Sequence, residues 1–132
     1  MPEVNYLAVV VAAVSGFVVG GLWYSPILFM KTWMAESGVT EDDMARRNPA
    51  KVYGVALILC LIAAFTFALF LGPEPGLAFG AGAGFAAGFA WVAASFGVNY
   101  LFEAKSFKLF LVNGGYHTVQ FTVMGAILGV WP

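Results

Sequence analysis

Four apolar runs, each about twenty residues long, fill most of this chain and leave it little choice of fold. A helix rises about 1.5 Å per residue, so roughly 20 residues cross the hydrocarbon core of a bilayer. The runs cover about Val4–Tyr24 (VNYLAVVVAAVSGFVVGGLWY), Lys51–Leu71 (KVYGVALILCLIAAFTFALFL), Leu77–Leu101 (LAFGAGAGFAAGFAWVAASFGVNYL) and Lys108–Trp131. GPEPG, residues 72–76, reads as a tight turn between the second and third. Hydrophobic residues make up 61% of the 132, and the mean hydropathy is +0.88. A soluble domain this small has too much surface for its volume to hide that apolar area, whereas a bilayer solvates it. The expectation is one all-α domain over residues 1–132, a four-helix transmembrane bundle.

A cleaved leader is the other reading of the first run. The residues before it hold Glu3 and no Lys or Arg, and the run is too long for a leader's apolar stretch, so it is expected to be retained.

Charge sets the direction. Lys31, Arg46, Arg47, Lys51, Lys105 and Lys108 all fall in or beside the first and third loops. The GPEPG turn and both tails hold no Lys or Arg. The positive-inside rule then places loops 25–50 and 102–108 in the cytoplasm and both termini outside, in a multi-pass protein of the cell (inner) membrane. Within the first loop, PILFMKTWM (26–34) either extends the first helix or lies along the headgroups, with Trp33 at the interface. TEDDMARRN (40–48) reads as a short cytoplasmic amphipathic helix. Thr40 and Asp43 form a capping box, and the acids precede the arginines as the helix dipole favours. Arg46 and Arg47 suit either anionic lipid or plain solvation.

Lipid gives helices no hydrophobic reason to pair, so small residues and hydrogen bonds must hold them. Gly80, Gly84 and Gly88 recur at i+4, a glycine zipper whose stripe Trp91, Ser95 and Asn99 continue. The third helix is therefore expected near the bundle centre. Gly16 and Gly20 form a G-x-x-x-G pair in the first. The fourth carries Asn113, His117, Gln120 and Met124 on one side, with Gly114, Thr118, Thr122, Gly125 and Gly129 nearly opposite. One face for the chain's own core and one for a second copy suggests a homodimer; a monomer could use both. GLWYSPILFMK (21–31) and GVNYLFEAK (97–105) share an aromatic exit, an LF and a following lysine, which allows two similar hairpins related by an axis along the membrane normal.

Asn113, His117 and Gln120 interrupt the last apolar run. His117 lies about 13 Å in from the Lys108 end of that helix. Asn99, Glu103, Tyr24, Ser25 and Tyr53 approach the same end from other segments, and together they outline a polar notch opening inward. Polar groups at such depth either serve a site or act as interhelical hydrogen-bond glue. Glue is the plainer reading for His117, and a small polar solute or a proton is the expected occupant if the notch is a site.

Other chemistry finds little footing. The single Cys60 permits no internal disulfide, and a net charge of −1 gives no reason to expect nucleic acid. One histidine cannot supply both axial ligands of a haem except across a symmetric dimer. Met30 and Met34 could hold a soft metal but fit interfacial packing better. GAGAGFAAG (80–88) follows no strand and is no phosphate loop. No nucleophile–base pair stands out, so neither enzymatic activity, cofactor nor metal is expected.

The stretches VNYLAVVVAAVSGFVVGGLWYSPILFMKTWM and NYLFEAKSFKLFLVNGGYH, with their LWYSP-x-LF and FE-x-K-S-x-K-LFL-x-N-x-GYH patterns, resemble the domain-of-unknown-function 1761 family of small integral membrane proteins. The resemblance implies a multi-spanning protein and no agreed activity. Its patterned residues map to Trp23, Tyr24, Pro26, Asn99, Glu103, Lys105, Lys108, Asn113, Gly115, Tyr116 and His117, which adds Tyr116 to the candidate site. Two functions remain in view: a homo-oligomeric protein that binds or passes a small solute through the notch, or an accessory subunit of a larger membrane complex with a heterologous partner.

Overall fold

The computed structural model describes residues 4–131. Glu3, used above against a cleaved leader, lies outside them. Among the described residues every regular element is helical: α1 (Tyr6–Trp23), α2 (Met30–Ser37), α3 (Glu41–Arg46), α4 (Pro49–Leu71), α5 (Leu77–Phe102) and α6 (Phe107–Val130). Three helices, α1, α4 and α5, are long and apolar enough to cross a membrane. The fourth, α6, has 24 residues, but its polar stripe dilutes its apolar character.

Helix boundaries follow local chemistry. Asn48 accepts from the Lys51 N–H at 3.3 Å, and Pro49 occupies the first turn of α4, where its missing donor costs nothing. Ser106 caps α6 by accepting from the Leu109 N–H at 3.1 Å. The turn between α4 and α5 places Gly72 and Gly76 at φ +75° and +84°, which only glycine adopts at no cost. In α3 the capping box is complete: Thr40 N–H donates to Asp43 Oδ2 at 3.0 Å, and Asp43 N–H donates to Thr40 Oγ1 at 3.1 Å.

The long helices run up and down. Val4 and Asn5 just before α1, the end of α4 (Ala68, Leu71), and Leu128 of α6 with Trp131 just after it share one cavity at one end. At that end lie Gly72, Pro73 and Glu74. At the other lie α2, α3 and the α5–α6 hairpin.

The central helix is α6, not α5 as the glycine stripe suggested. It packs on α1, α2, α4 and α5. One side packs on α1 and α4, where Met124 and Leu128 join Ala8, Val9, Ala12, Ala13, Ala64, Phe67 and Leu71. The other side packs on α5 backbone to backbone. A Cβ added at Gly80, Gly84, Gly125 or Gly129 would meet main-chain atoms of the facing helix, and one at Gly88 would sit 2.7 Å from the His117 carbonyl oxygen. Both faces of α6 are thus covered within one chain, which removes the reason for assigning one of them to a second copy. Outward, Val10, Val14, Val18, Leu22, Ile58, Leu59, Ile62, Phe85 and Phe89 are exposed, an apolar girdle that suits hydrocarbon rather than water.

The expected continuation of the stripe through Trp91, Ser95 and Asn99 does not occur. Residues Ala87–Ala93 form a π-helical turn, which holds one residue more than the α pattern. Gly88 and Ala93 are five apart on α5, while the residues they face, Thr118 and Gly114, are four apart on α6. Beyond the turn, Ala93, Gly97 and Tyr100 face α6. Trp91, Ser95 and Asn99 are exposed.

Candidate functional site

Asn113 sits where the first and third long helices end, and its side-chain amide joins them. Tyr24, at the C-cap of α1, donates its hydroxyl to Asn113 Oδ1 at 2.6 Å. Asn113 Nδ2 donates to the Tyr100 hydroxyl of α5 at 2.7 Å. One amide thus uses both of its polar atoms to tie three helices. The neighbouring Trp23 donates its indole N–H to the Val112 carbonyl at 2.8 Å. Its ring lies so close to Gly115 that a Cβ there would stand 2.9 Å from Trp23 Cζ2. Only glycine leaves room for that indole.

Tyr116 and Gln120 enter the G-x-x-x-G notch of α1. The Tyr116 hydroxyl donates to the Gly16 carbonyl at 2.8 Å, and a Cβ at Gly20 would meet that hydroxyl at 3.3 Å. A Cβ at Gly16 would stand 2.6 Å from Gln120 Nε2. Gln120 is buried, and its amide nitrogen lies 3.8 Å from Cys60 Sγ of α4. Its Oε1 lies 3.0 Å from His117 Nδ1. The imidazole stacks on Phe96 at 5.0 Å and meets the edge of Tyr116 at 4.8 Å.

Beside this network lies a cavity of about 610 Å³, within the usual range for small-molecule sites. Tyr24 and Tyr116 form part of its wall, with Gly16, Phe17, Gly20 and Gly21 from α1. The chain after Tyr24 folds back, with the Phe29 N–H donating to the Trp23 carbonyl at 3.0 Å, so that Met30 and Trp33 of α2 complete another side. Trp33 meets the edge of Tyr24 at 5.8 Å. Met44, Arg47 and Tyr53 close the outer side.

The candidates named from sequence therefore divide. Tyr24 and Tyr116 line the cavity, and Asn113 supports Tyr24 from behind. His117 and Gln120 form a separate, deeper cluster. Ser25 and Tyr53 line the cavity, as their end of the helices suggested. Asn99 and Glu103 are exposed and take no part; past the π turn Tyr100 takes the place on α6 that an unbroken α-helical stripe would give Asn99. Sequence reasoning missed Tyr100, Phe96, Trp33 and Arg47 as site residues. One signal for Tyr100 was available: Gly21 precedes Tyr24 by three residues, as Gly97 precedes Tyr100.

The two patterned stretches, LWYSP and NGGYH, meet at this site although 89 residues separate Tyr24 from Asn113. A family model described as a protein of unknown function, DUF1761, matches residues 7–129. The chain belongs to DUF1761. Neither a curated protein nor a solved structure matches it. In this DUF1761 chain, Trp23, Tyr24, Asn113, Gly115 and Tyr116 form one contact network, so the sequence resemblance has a spatial counterpart.

Proposed function

We propose that this is a four-span protein of the cell membrane that binds a small molecule in the Tyr24–Trp33–Tyr116 cavity, which opens to the cytoplasm. The cavity is the observation that carries the reading. The crossing of α6 is supported by its length, about 36 Å, and by its packing along α5 from Gly129 beside Gly76 to Phe110 beside Gly97. If α5 crosses, its partner crosses with it, and the polar stripe of α6 is sheltered by protein as such groups require. Orientation rests on the six cationic residues, which fall on α2, α3, the α5–α6 hairpin and the starts of α4 and α6. The matching Gly-x-x-Tyr ends, whose hydroxyls converge on one amide, support two related hairpins.

Binding fits better than passage. Hydrogen bonds from Tyr24 to Asn113 and from Tyr116 to Gly16 fix the cavity's inner wall, and His117 lies behind it rather than along it. A single chain holds the whole cavity, so the reading needs no second copy.

Gly21 tests this. It lines the cavity and has open space at its Cβ position, so Gly21→Leu adds bulk there with a Cβ that meets no protein atom within 4 Å. Protein extracted in mild detergent should retain a small molecule detectable by native mass spectrometry, lost in Gly21→Leu and kept in Asn99→Ala. Equal retention by both variants would sink the assignment of the cavity. A stoichiometric heterologous protein in the same spectra would favour an accessory subunit instead.

A further inference from the structure

The cavity's lining has a chemical sign. It contains one cation, Arg47, and no carboxylate. Its neighbour Arg46 pairs with Asp43 at 3.1 Å, whereas Arg47 has no ion-pair partner among the described residues. Two further lining residues carry donors, the Trp33 indole N–H and the Tyr53 hydroxyl, neither with a hydrogen-bond partner among the described residues. The remaining surface is largely apolar and aromatic, including Phe17, Met30 and Met44. A lone cation and unpaired donors among rings and thioethers, with no carboxylate beside them, are complementary to a molecule with one anionic group on an apolar body.

We infer that the cavity binds an amphipathic organic anion, its carboxylate or phosphate held by Arg47 and its apolar part between Phe17, Trp33 and Tyr53. This rests on the binding role proposed above and adds the ligand's class. A guanidinium suits such a group because its fork of N–H donors matches two anionic oxygens at once. Arg47 also borders an open groove of about 480 Å³ on the outer face of α4, lined by Lys51, Val52, Val55 and Leu59. That groove gives a lipid-borne anion a way to the cavity from the bilayer, while α2 and α3 border it on the loop side.

The test uses full-length protein in nanodiscs of phosphatidylcholine, with Trp33 fluorescence as readout and Trp33→Phe as the blank. The probes are naphthalene-2-carboxylate and its uncharged counterpart, naphthalene-2-methanol. The carboxylate should bind at least about tenfold more tightly. Arg47→Gln should weaken it by about 10- to 100-fold, the worth of a charge-assisted hydrogen bond, while Arg46→Gln changes it less than about threefold. Repeating the titration with phosphatidate in the disc separates the sources. Competition that depends on Arg47 identifies a lipid anion and no competition a soluble one, and either supports the class. Equal binding of both probes, unaffected by Arg47→Gln, overturns the anion and leaves the cavity reading standing. No Trp33 response to either probe overturns both.

Discussion

Deleting one residue from a transmembrane helix ordinarily rotates everything on one side of it by about 100° and shifts it about 1.5 Å. The π turn of α5 makes one stretch of this chain an exception. With Ala90 removed, Gly88 and Ala93 become four residues apart, matching the spacing of Thr118 and Gly114 opposite them. Both halves of α5 then keep their faces on α6, and the turn relaxes to an α-helix. Ala90 is itself exposed, so no packing is lost. Its deletion should change unfolding free energy by no more than about 0.5 kcal/mol, the range of changes that leave contacts alone. Deleting Gly82, also exposed, should behave differently, because it lies in regular helix. Phe79 then takes the place of Gly80 against Gly125, and Pro75 that of Gly76 against Gly129. Overpacking at two sites, at about 1–3 kcal/mol each, gives a loss of roughly 2–6 kcal/mol. Unfolding in mixed micelles followed by circular dichroism measures both. A disulfide between Ala93→Cys and Gly114→Cys in a Cys60→Ser background reports the lower register. The Cβ positions lie 3.2 Å apart, close to disulfide separation at about 3.5–4.5 Å. If removing Ala90 costs as much as removing Gly82, or abolishes that cross-link, the π turn does not set the register of this pair.

Two further outcomes follow from the hydrogen bonds. Asn113→Leu removes both arms of the Tyr24–Asn113–Tyr100 bridge and should cost about 1–3 kcal/mol at 0.6–1.7 kcal/mol per interhelical bond; Tyr24→Phe should add little in that background, and a double-mutant cycle in mixed micelles that finds the two additive refutes the bridge. The Thr40 N–H, with help from the Thr40 hydroxyl and Arg46, holds the Asp43 carboxyl below the ordinary aspartate range. The cap on α3 is therefore fully present above the unfolded aspartate pKa and lost as pH falls through the lower, folded one; an NMR titration in which Asp43 is raised, or in which Thr40→Val leaves it unchanged, contradicts that.

Much of the architecture was legible because it depends on properties read along the chain. The apolar runs coincide with the long helices to within a few residues, and the Thr40–Asp43 box forms as its spacing implies. The G-x-x-x-G of α1 likewise receives Tyr116 and Gln120 in the structure. The site was legible only in part. Tyr24, Tyr53 and Tyr116 reach the cavity, but Asn99 and Glu103 do not, since extending the glycine stripe through Trp91, Ser95 and Asn99 assumed an unbroken α-helix. The inward fold of α2, which carries Trp33 against Tyr24, gave no periodic signal either.

Run length, hydropathy and the one-sided placement of Lys and Arg were settled by the chain itself, because partition between water and hydrocarbon acts on each segment independently of its neighbours. Which helix is central, and which tyrosine meets Asn113, were decided only in three dimensions. Those choices depend on rotational phase, and a single extra residue in a π turn, invisible in residue type, resets the phase of everything beyond it.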